Sequence, residues 1–234
     1  RPGWPRLLRF AAARQSGATP TADAAAADVT RIPTAERRLT RALYLDVLGR
    51  TPIDEELAVA AALPWPERVD LLVGDVGAWT QWLDEENFYF LLIDGFRPVS
   101  DRVVALPAQI ANREIAYRDA HTALALSAEF NARNPGNDTF VTVVFEQFLG
   151  IEVQRNVKLL EDAKKMYDGK LSRIFDTRGD TQSDVVKIAL AQPGYTDLFV
   201  RRMKKRYFGE PLPDAEHAAA VAFLVEHPRG LRDL

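Results

Sequence analysis

The strongest constraint on how this chain can fold is that it partly repeats itself. The run Arg38–Gly49 is followed by Pro52, Asp54 and Glu56, and the run Phe199–Gly209 by Pro211, Pro213, Asp214 and Glu216. In both, an Asp stands five residues after the glycine and a Glu seven after it. A third run, Thr139–Gly150, keeps the helical pattern and the glycine but lacks the Pro/Asp continuation. Short segments ending in an aromatic, Leu126–Phe130 and Ala191–Tyr195, precede the second and third of these runs along the chain. Glycine after a helical run supplies the left-handed residue that ends a helix, and proline followed by acids opens the next. The unit is therefore a helix, a glycine cap, a second helix and an aromatic-marked return. Copies of such a unit bury their apolar faces on each other. The fold class this predicts is mainly α, a helical bundle of diverged helix–glycine cap–helix repeats.

The punctuation elsewhere agrees. Thr34 reads as a cap for a helix to Leu48, with Leu39, Leu43 and Val47 on one face at i, i+4, i+8. Thr51 reads as the next cap, with Pro52 at the first helical position and the helix running to about Leu63, broken by Pro64–Trp65–Pro66. Further helices are predicted over Glu67–Val73, Ala78–Ile93, Pro107–Ser127, Asp138–Leu149, Val153–Tyr167, Ser183–Ala191, Asp197–Phe208 and Asp214–Glu226, with a turn at Asn134–Asn137. Alternating β patterns are nearly absent; Val141–Phe145 has strand-like residues between flanks that favour helix. The organisation expected is an extended arm over residues 1–33, then helical subdomains over 34–130 and 131–234, or one continuous domain from 34 onward. The arm has too little periodic apolar surface to fold alone. Trp4, Leu7, Leu8 and Phe10 are its anchors against a partner chain or its own domain.

Composition removes whole classes of chemistry. There is no cysteine, which excludes disulfides, thiolate metal sites, covalent c-type haem attachment and cysteine nucleophiles. No apolar run approaches the roughly 18–20 residues that span a bilayer. The net charge of −3 is too small to steer the chain toward nucleic acid. The first residue is Arg1 rather than methionine, as expected of a start that has been processed or cut.

The segments Ser127-Ala-Glu-Phe130, Gln192-Pro-Gly-Tyr195, Leu198-Phe-Val-Arg-Arg202 and Phe208-Gly209 with Pro213-Asp214 resemble the tandem helical domain of unknown function found in many secreted bacterial proteins. They are similar, more distantly, to the phycobilisome linker domain. Arg37–Leu57, with Arg68–Leu72 and Trp79–Trp82, resembles the planctomycete-type helical domain often joined to cytochromes. The resemblances touch Thr34–Trp82 and Leu126–Glu226. They imply architecture, a scaffold role by analogy and an extracytoplasmic location. No site residues carry over.

Candidate chemistry is sparse. The three histidines, His121, His217 and His227, lack metal-binding spacing and read as surface or half-buried residues. His121 has Glu114 and Asp119 as nearby acids. Asp54–Glu56 complements an early helical turn. Asp84–Glu86 reads as a solvated face, with paired catalytic carboxylates as the sharper alternative. Asp176–Asp184 superficially suggests a calcium loop but fails the EF-hand template; Asp180 and Thr181 better begin the next helix, with Asp184 closing a cap. No Gly-x-Ser-x-Gly, Walker loop, dinucleotide fingerprint or His-Glu-x-x-His occurs. In the basic run of Arg201, Arg202, Lys204, Lys205 and Arg206, Arg201, Lys204 and Lys205 share one helix side, as a solvated face or a dock for an acidic protein. The expectation is a non-enzymatic structural or linker subunit of an extracytoplasmic bacterial assembly, with no cofactor and no nucleic acid. Its protein partners would meet Trp4, Leu7, Leu8, Phe10, Arg201, Arg202, Lys204 and Lys205. The alternatives are an accessory protein of a cofactor-bearing complex, binding through His121, and a hydrolase with a carboxylate site at Asp84–Glu86.

Overall fold

The computed structural model describes residues 31–91, 100–209 and 211–234. The arm anchors Trp4, Leu7, Leu8 and Phe10 lie outside the described residues. The described chain is mainly helical: α1 (Thr34–Leu48), α2 (Asp54–Ala62), α3 (Trp65–Val73), α4 (Val76–Leu91), α5 (Asp101–Val104), α6 (Leu106–Ala111), α7 (Tyr117–Ala125), α8 (Ala128–Arg133) and α9 (Gly136–Leu149) come first. After a 3-10 turn at Val153–Arg155 follow α10 (Val157–Tyr167), a hairpin of β1 (Ser172–Ile174) and β2 (Thr177–Gly179), α11 (Gln182–Leu190), α12 (Pro193–Phe208) and α13 (Asp214–Glu226). A last 3-10 turn covers Gly230–Asp233.

The repeated unit sets the helix ends. Gly49, Gly150 and Gly209 close α1, α9 and α12 in the left-handed conformation, at φ of 66°, 67° and 72°. Asp54 and Asp214, each five residues after its glycine, are the first residues of α2 and α13. The caps themselves differ from expectation. Pro33 precedes α1 and Thr34 is already helical. At α2, the Glu56 carboxylate accepts the Ile53 backbone N–H at 3.0 Å, so the helix opens where that acid can reach back, two residues later than Thr51. Thr181 and Asp184 cap α11 reciprocally, as expected.

Two regions depart from the predicted elements. The single helix expected over Pro107–Ser127 is broken into α6 and α7, with α8 beginning at Ala128. After α6 the Glu114 N–H reaches the Gln109 carbonyl (2.7 Å) and the Arg113 N–H that of Ile110 (3.0 Å), a Schellman ending with Arg113 at φ 57° in the place usually held by glycine. Arg113 is held there by Asp233, to which its Nε donates at 2.9 Å. The second departure is the hairpin. Phe175 (φ 44°) and Asp176 (φ 61°) form its two-residue turn. Phe175 tolerates the left-handed region because its ring stacks on Phe145, centroids 5.7 Å apart. The acid-rich run is thus a turn and a helix cap.

Packing joins the two halves. α4 lies against α1, α3, α6 and α8, while α9 lies against α10, α11 and α12. The buried apolar side chains of both halves form one contiguous cluster. Arg68, buried on α3, clamps the first three helices: it donates to Thr40 Oγ1 at 3.1 Å and to the Ala61 and Leu63 carbonyls at 3.2 and 2.9 Å, and pairs with Glu36. A buried guanidinium satisfied by this many acceptors fixes orientation as well as charge.

Candidate functional site

Three long helices and the short α7 converge on one imidazole. On α4, Trp82, Glu86 and Phe90 fall at i, i+4, i+8; on α12, Tyr195, Phe199 and Arg202 fall at i, i+4, i+7; α9 supplies Phe148 and α7 supplies His121. Helical spacing puts each set on one face. His121 is 1% exposed, with Trp82 stacked on it at 5.7 Å and Phe90, Phe148, Phe199 and Tyr195 edge-on at 5.5–5.8 Å. The expectation of a surface or half-buried histidine is corrected. Its acid is also neither Glu114 nor Asp119.

Glu86 is that acid, 7% exposed, so the Asp84–Glu86 run is divided: Asp84 is exposed and Glu85 half-buried, but Glu86 turns inward. Its Oε2 accepts from His121 Nε2 at 3.0 Å and from Arg202 Nη2 at 2.5 Å. Arg202 also lies over the Tyr89 and Phe90 rings, at 4.1 and 4.9 Å. The other imidazole nitrogen, Nδ1, stands 2.6 Å from the Tyr195 hydroxyl.

Charge fixes the direction of every bond in this chain. Burial pushes His121 below its ordinary value, against the opposing pull of Glu86, so the ring is neutral near pH 7. Burial alone would raise Glu86, but the His121 hydrogen bond and the Arg202 charge hold it below its usual value, and it stays ionised. Tyr195 is pushed well above its ordinary value, first by burial, so it keeps its proton. An ionised carboxylate only accepts and guanidinium only donates. His121 therefore carries its proton on Nε2, donates to Glu86, and accepts from the Tyr195 O–H at Nδ1. This relay has the order orienting carboxylate, imidazole base and hydroxyl of a catalytic triad, but the hydroxyl is sealed in the core and keeps its proton. Tyr117, stacked on Tyr195 at 5.6 Å, closes the layer behind it and hydrogen-bonds Thr196 at 2.7 Å. Both imidazole nitrogens being engaged, His121 has none to offer a metal or haem. Among the described residues no three His, Asp or Glu side chains are grouped to hold a metal ion.

The basic run of α12 is divided. Arg202 turns inward to Glu86, and Arg206 pairs with Glu85. Lys204 is 5% exposed, so it does not share a solvent-facing side with Arg201 and Lys205; burial lowers its pKa. Arg201 is exposed and bound to Asp197 at 2.8 Å, an acid it shares with His217 at 2.6 Å. Lys205 is exposed.

Beside the sealed centre the molecule is open. A groove of about 840 Å³ runs between the C-terminal part of α1, α3, α4, the end of α12 and residues 231–234. Leu43, Val47, Val69, Trp79, Trp82 and Met203 make its floor. Its rim carries both signs, Asp46, Asp70, Glu85 and Asp233 beside Arg113, Lys204, Arg206 and Arg232. Trp82 belongs to both regions. Sequence spacing contained the α4 stripe, and the place of Glu86 between Trp82 and Phe90 is the one local sign that it turns inward.

Compared with known protein families, with curated proteins and with solved structures, the chain matches none.

Proposed function

We propose that the protein is a non-catalytic structural subunit, a linker within a larger extracytoplasmic bacterial assembly, and that the groove is the face on which it meets its partner. The observation that carries this reading is the pairing of an open apolar groove with a reactive-looking triad that is sealed and internally satisfied. A groove of this size with an apolar floor and a mixed-charge rim suits a helix or an extended segment of another chain. The exposed cations Arg201 and Lys205 and the anchors Trp4, Leu7, Leu8 and Phe10 are further docking elements. The extracytoplasmic setting and the linker role lean on the resemblance to tandem helical domains of secreted bacterial proteins and to the phycobilisome linker domain. Among the described residues, no helix is long and apolar enough to cross a membrane.

The test is affinity purification from the native source followed by mass spectrometry and native sizing, with wild type and Val47→Asp run side by side. A large complex of fixed stoichiometry that the folded Val47→Asp chain fails to enter is the expected result. A lone monomer for wild type under gentle conditions overturns the reading. A visible absorption band in the purified wild type would instead favour the accessory role beside a cofactor.

A further inference from the structure

The two ends of the molecule carry opposite charge. Residues 34–91 hold 11 acidic and five basic side chains, whereas residues 151–234 hold 15 basic and 13 acidic ones. Each end also leaves a small feature of its own sign unanswered. At the acidic end a hollow of about 310 Å³ opens between α1, α2 and the end of α3. Leu48, Val59 and Leu71 wall it, and the last two are 37% and 42% exposed. Three carboxylates, Glu55, Glu56 and Asp75, stand around it. Arg50 pairs with Glu56 at 2.6 Å and lies over the Tyr44 ring, so the site already accepts one guanidinium. Asp75 is engaged by the Gly77 N–H at 2.6 Å. Glu55, on the α2 face that carries Val59, makes no ion pair among the described residues. Tyr44 is 3% exposed and lines the same hollow, yet its hydroxyl has no hydrogen-bond partner among the described residues. Burial first, and the Glu56 charge second, raise its pKa, so it keeps its proton.

At the basic end the β1–β2 hairpin is the converse. Arg173 stands directly opposite Arg178 across the two strands, both are exposed, and like charges so placed are destabilising. Neither makes an ion pair among the described residues, although Asp176 and Asp180 are close in sequence. Leu171, just before β1, is 71% exposed, the barest large apolar side chain among the described residues. Strand alternation puts it on the side of Arg173 and Arg178, away from the buried Ile174. A bare leucine beside two unpaired guanidinium groups thus complements a hollow of leucine and valine beside an unpaired carboxylate and phenol. The hairpin packs on α10 and α11, whereas α1, α2 and α3 form the hollow, so one chain does not bring the two together. We propose that the hairpin of one chain seats in the α1–α2–α3 hollow of a second copy. Leu171 meets Val59 and Leu71, and an arginine of the cross-strand pair meets Glu55 and the Tyr44 hydroxyl. The two surfaces differ, so the contact is head-to-tail, and its repetition builds a ring or a filament rather than a two-fold dimer. It uses neither the groove nor the arm and so goes beyond the partner complex proposed above.

Sedimentation equilibrium of the full chain in low salt should show a mass that rises with protein concentration and falls on adding salt, which screens exposed charges. Two variants each disable one face. Val59→Trp fills the hollow from an exposed position, and Arg173→Glu/Arg178→Glu reverses the hairpin while keeping a like-charged cross-strand pair. Each should weaken association by about tenfold or more, with the cooperative melt of wild type retained. Their equimolar mixture decides the geometry. The first variant keeps its hairpin and the second its hollow, so the mixture should form a one-to-one dimer where each variant alone stays monomeric. A wild-type mass that remains that of the monomer at every concentration overturns the proposal. So does a mixture that stays monomeric, which would place the contact on a symmetric surface or elsewhere. A monomer in this experiment leaves a partner complex from the native source standing, and the loss of that complex leaves this self-association standing.

Discussion

The sealed centre around His121 and the groove beside it share two walls, α4 and α12, and differ in how their polar atoms are answered. In the centre both His121 nitrogens, the Tyr195 hydroxyl, Glu86 Oε2 and Arg202 Nη2 find their partners inside the molecule. In the groove Trp82 keeps a buried donor without an acceptor, and the apolar stripe of α1 is left partly bare. A region that completes its own polar pairing is holding a shape. A region that leaves pairing and apolar surface incomplete is where the proposed docking face lies. The same helices thus border a centre of paired polar groups and an open apolar groove across the thickness of one indole ring.

The contrast can be broken first at its strongest point. Glu86→Ala leaves Arg202 and the His121 N–H without their shared acceptor, and urea unfolding should show a loss of about 3 kcal/mol, the scale for removing one member of a buried charged network. A loss under about 1 kcal/mol would mean that the centre does not hold the bundle together. Tyr195→Phe keeps the ring and leaves only Nδ1 unanswered, so about 1.5 kcal/mol is expected with an unchanged circular dichroism spectrum.

A gentler perturbation needs no substitution. Because native His121 sits below its ordinary value of 6.5, the unfolded chain takes up a proton on acidification that the native chain refuses. The melting temperature should therefore hold near neutral pH and begin to fall below about 6.5. A second loss should follow as pH drops below the ordinary glutamate value of 4.5, since Glu86 is held beneath it. In His121→Gln the first decline should disappear and the second remain. The smallest effect belongs to the groove side: Leu39→Glu, on an already exposed position, should change stability by no more than about 0.5 kcal/mol. A large loss there would show that the stripe is part of the core after all.

Much of the scaffold was legible because its signals are local. Glycine after a helical run ends the helix, and an acid five residues on starts the next; Gly49 with Asp54 and Gly209 with Asp214 follow this rule in three dimensions. The failures have equally specific causes. The break after Ala111 was hidden because arginine, not glycine, occupies the left-handed position, stabilised by a residue far along the chain. The hairpin was hidden because Phe-Asp is not an Asn-Gly turn, and tertiary stacking on Phe145 supports it. The centre was least legible. Trp82, Glu86 and Phe90 form a visible stripe, and a carboxylate within an aromatic stripe is a clue. Its partner His121 lies 35 residues away, however, and the Arg202 that neutralises it 116 away. Periodicity shows which face a residue occupies, not what will stand opposite.

The bond between Arg113 and Asp233 also has a consequence in time. The two residues are 120 positions apart. Nearby, the Tyr117 N–H donates to the Pro228 carbonyl at 3.3 Å and Arg232 to the Ala111 carbonyl at 3.2 Å. At about 5–20 residues per second of synthesis, the α6–α7 corner waits roughly 6 to 24 s for the strands of chain that will lock it. Throughout that interval Arg113 must adopt its left-handed backbone without support. A ribosome-bound chain stopped before residue 228 should accordingly exchange the amide hydrogens of residues 111–117 far faster than the finished protein. For this corner, the synthesis of residues 228–233 is the step that sets it.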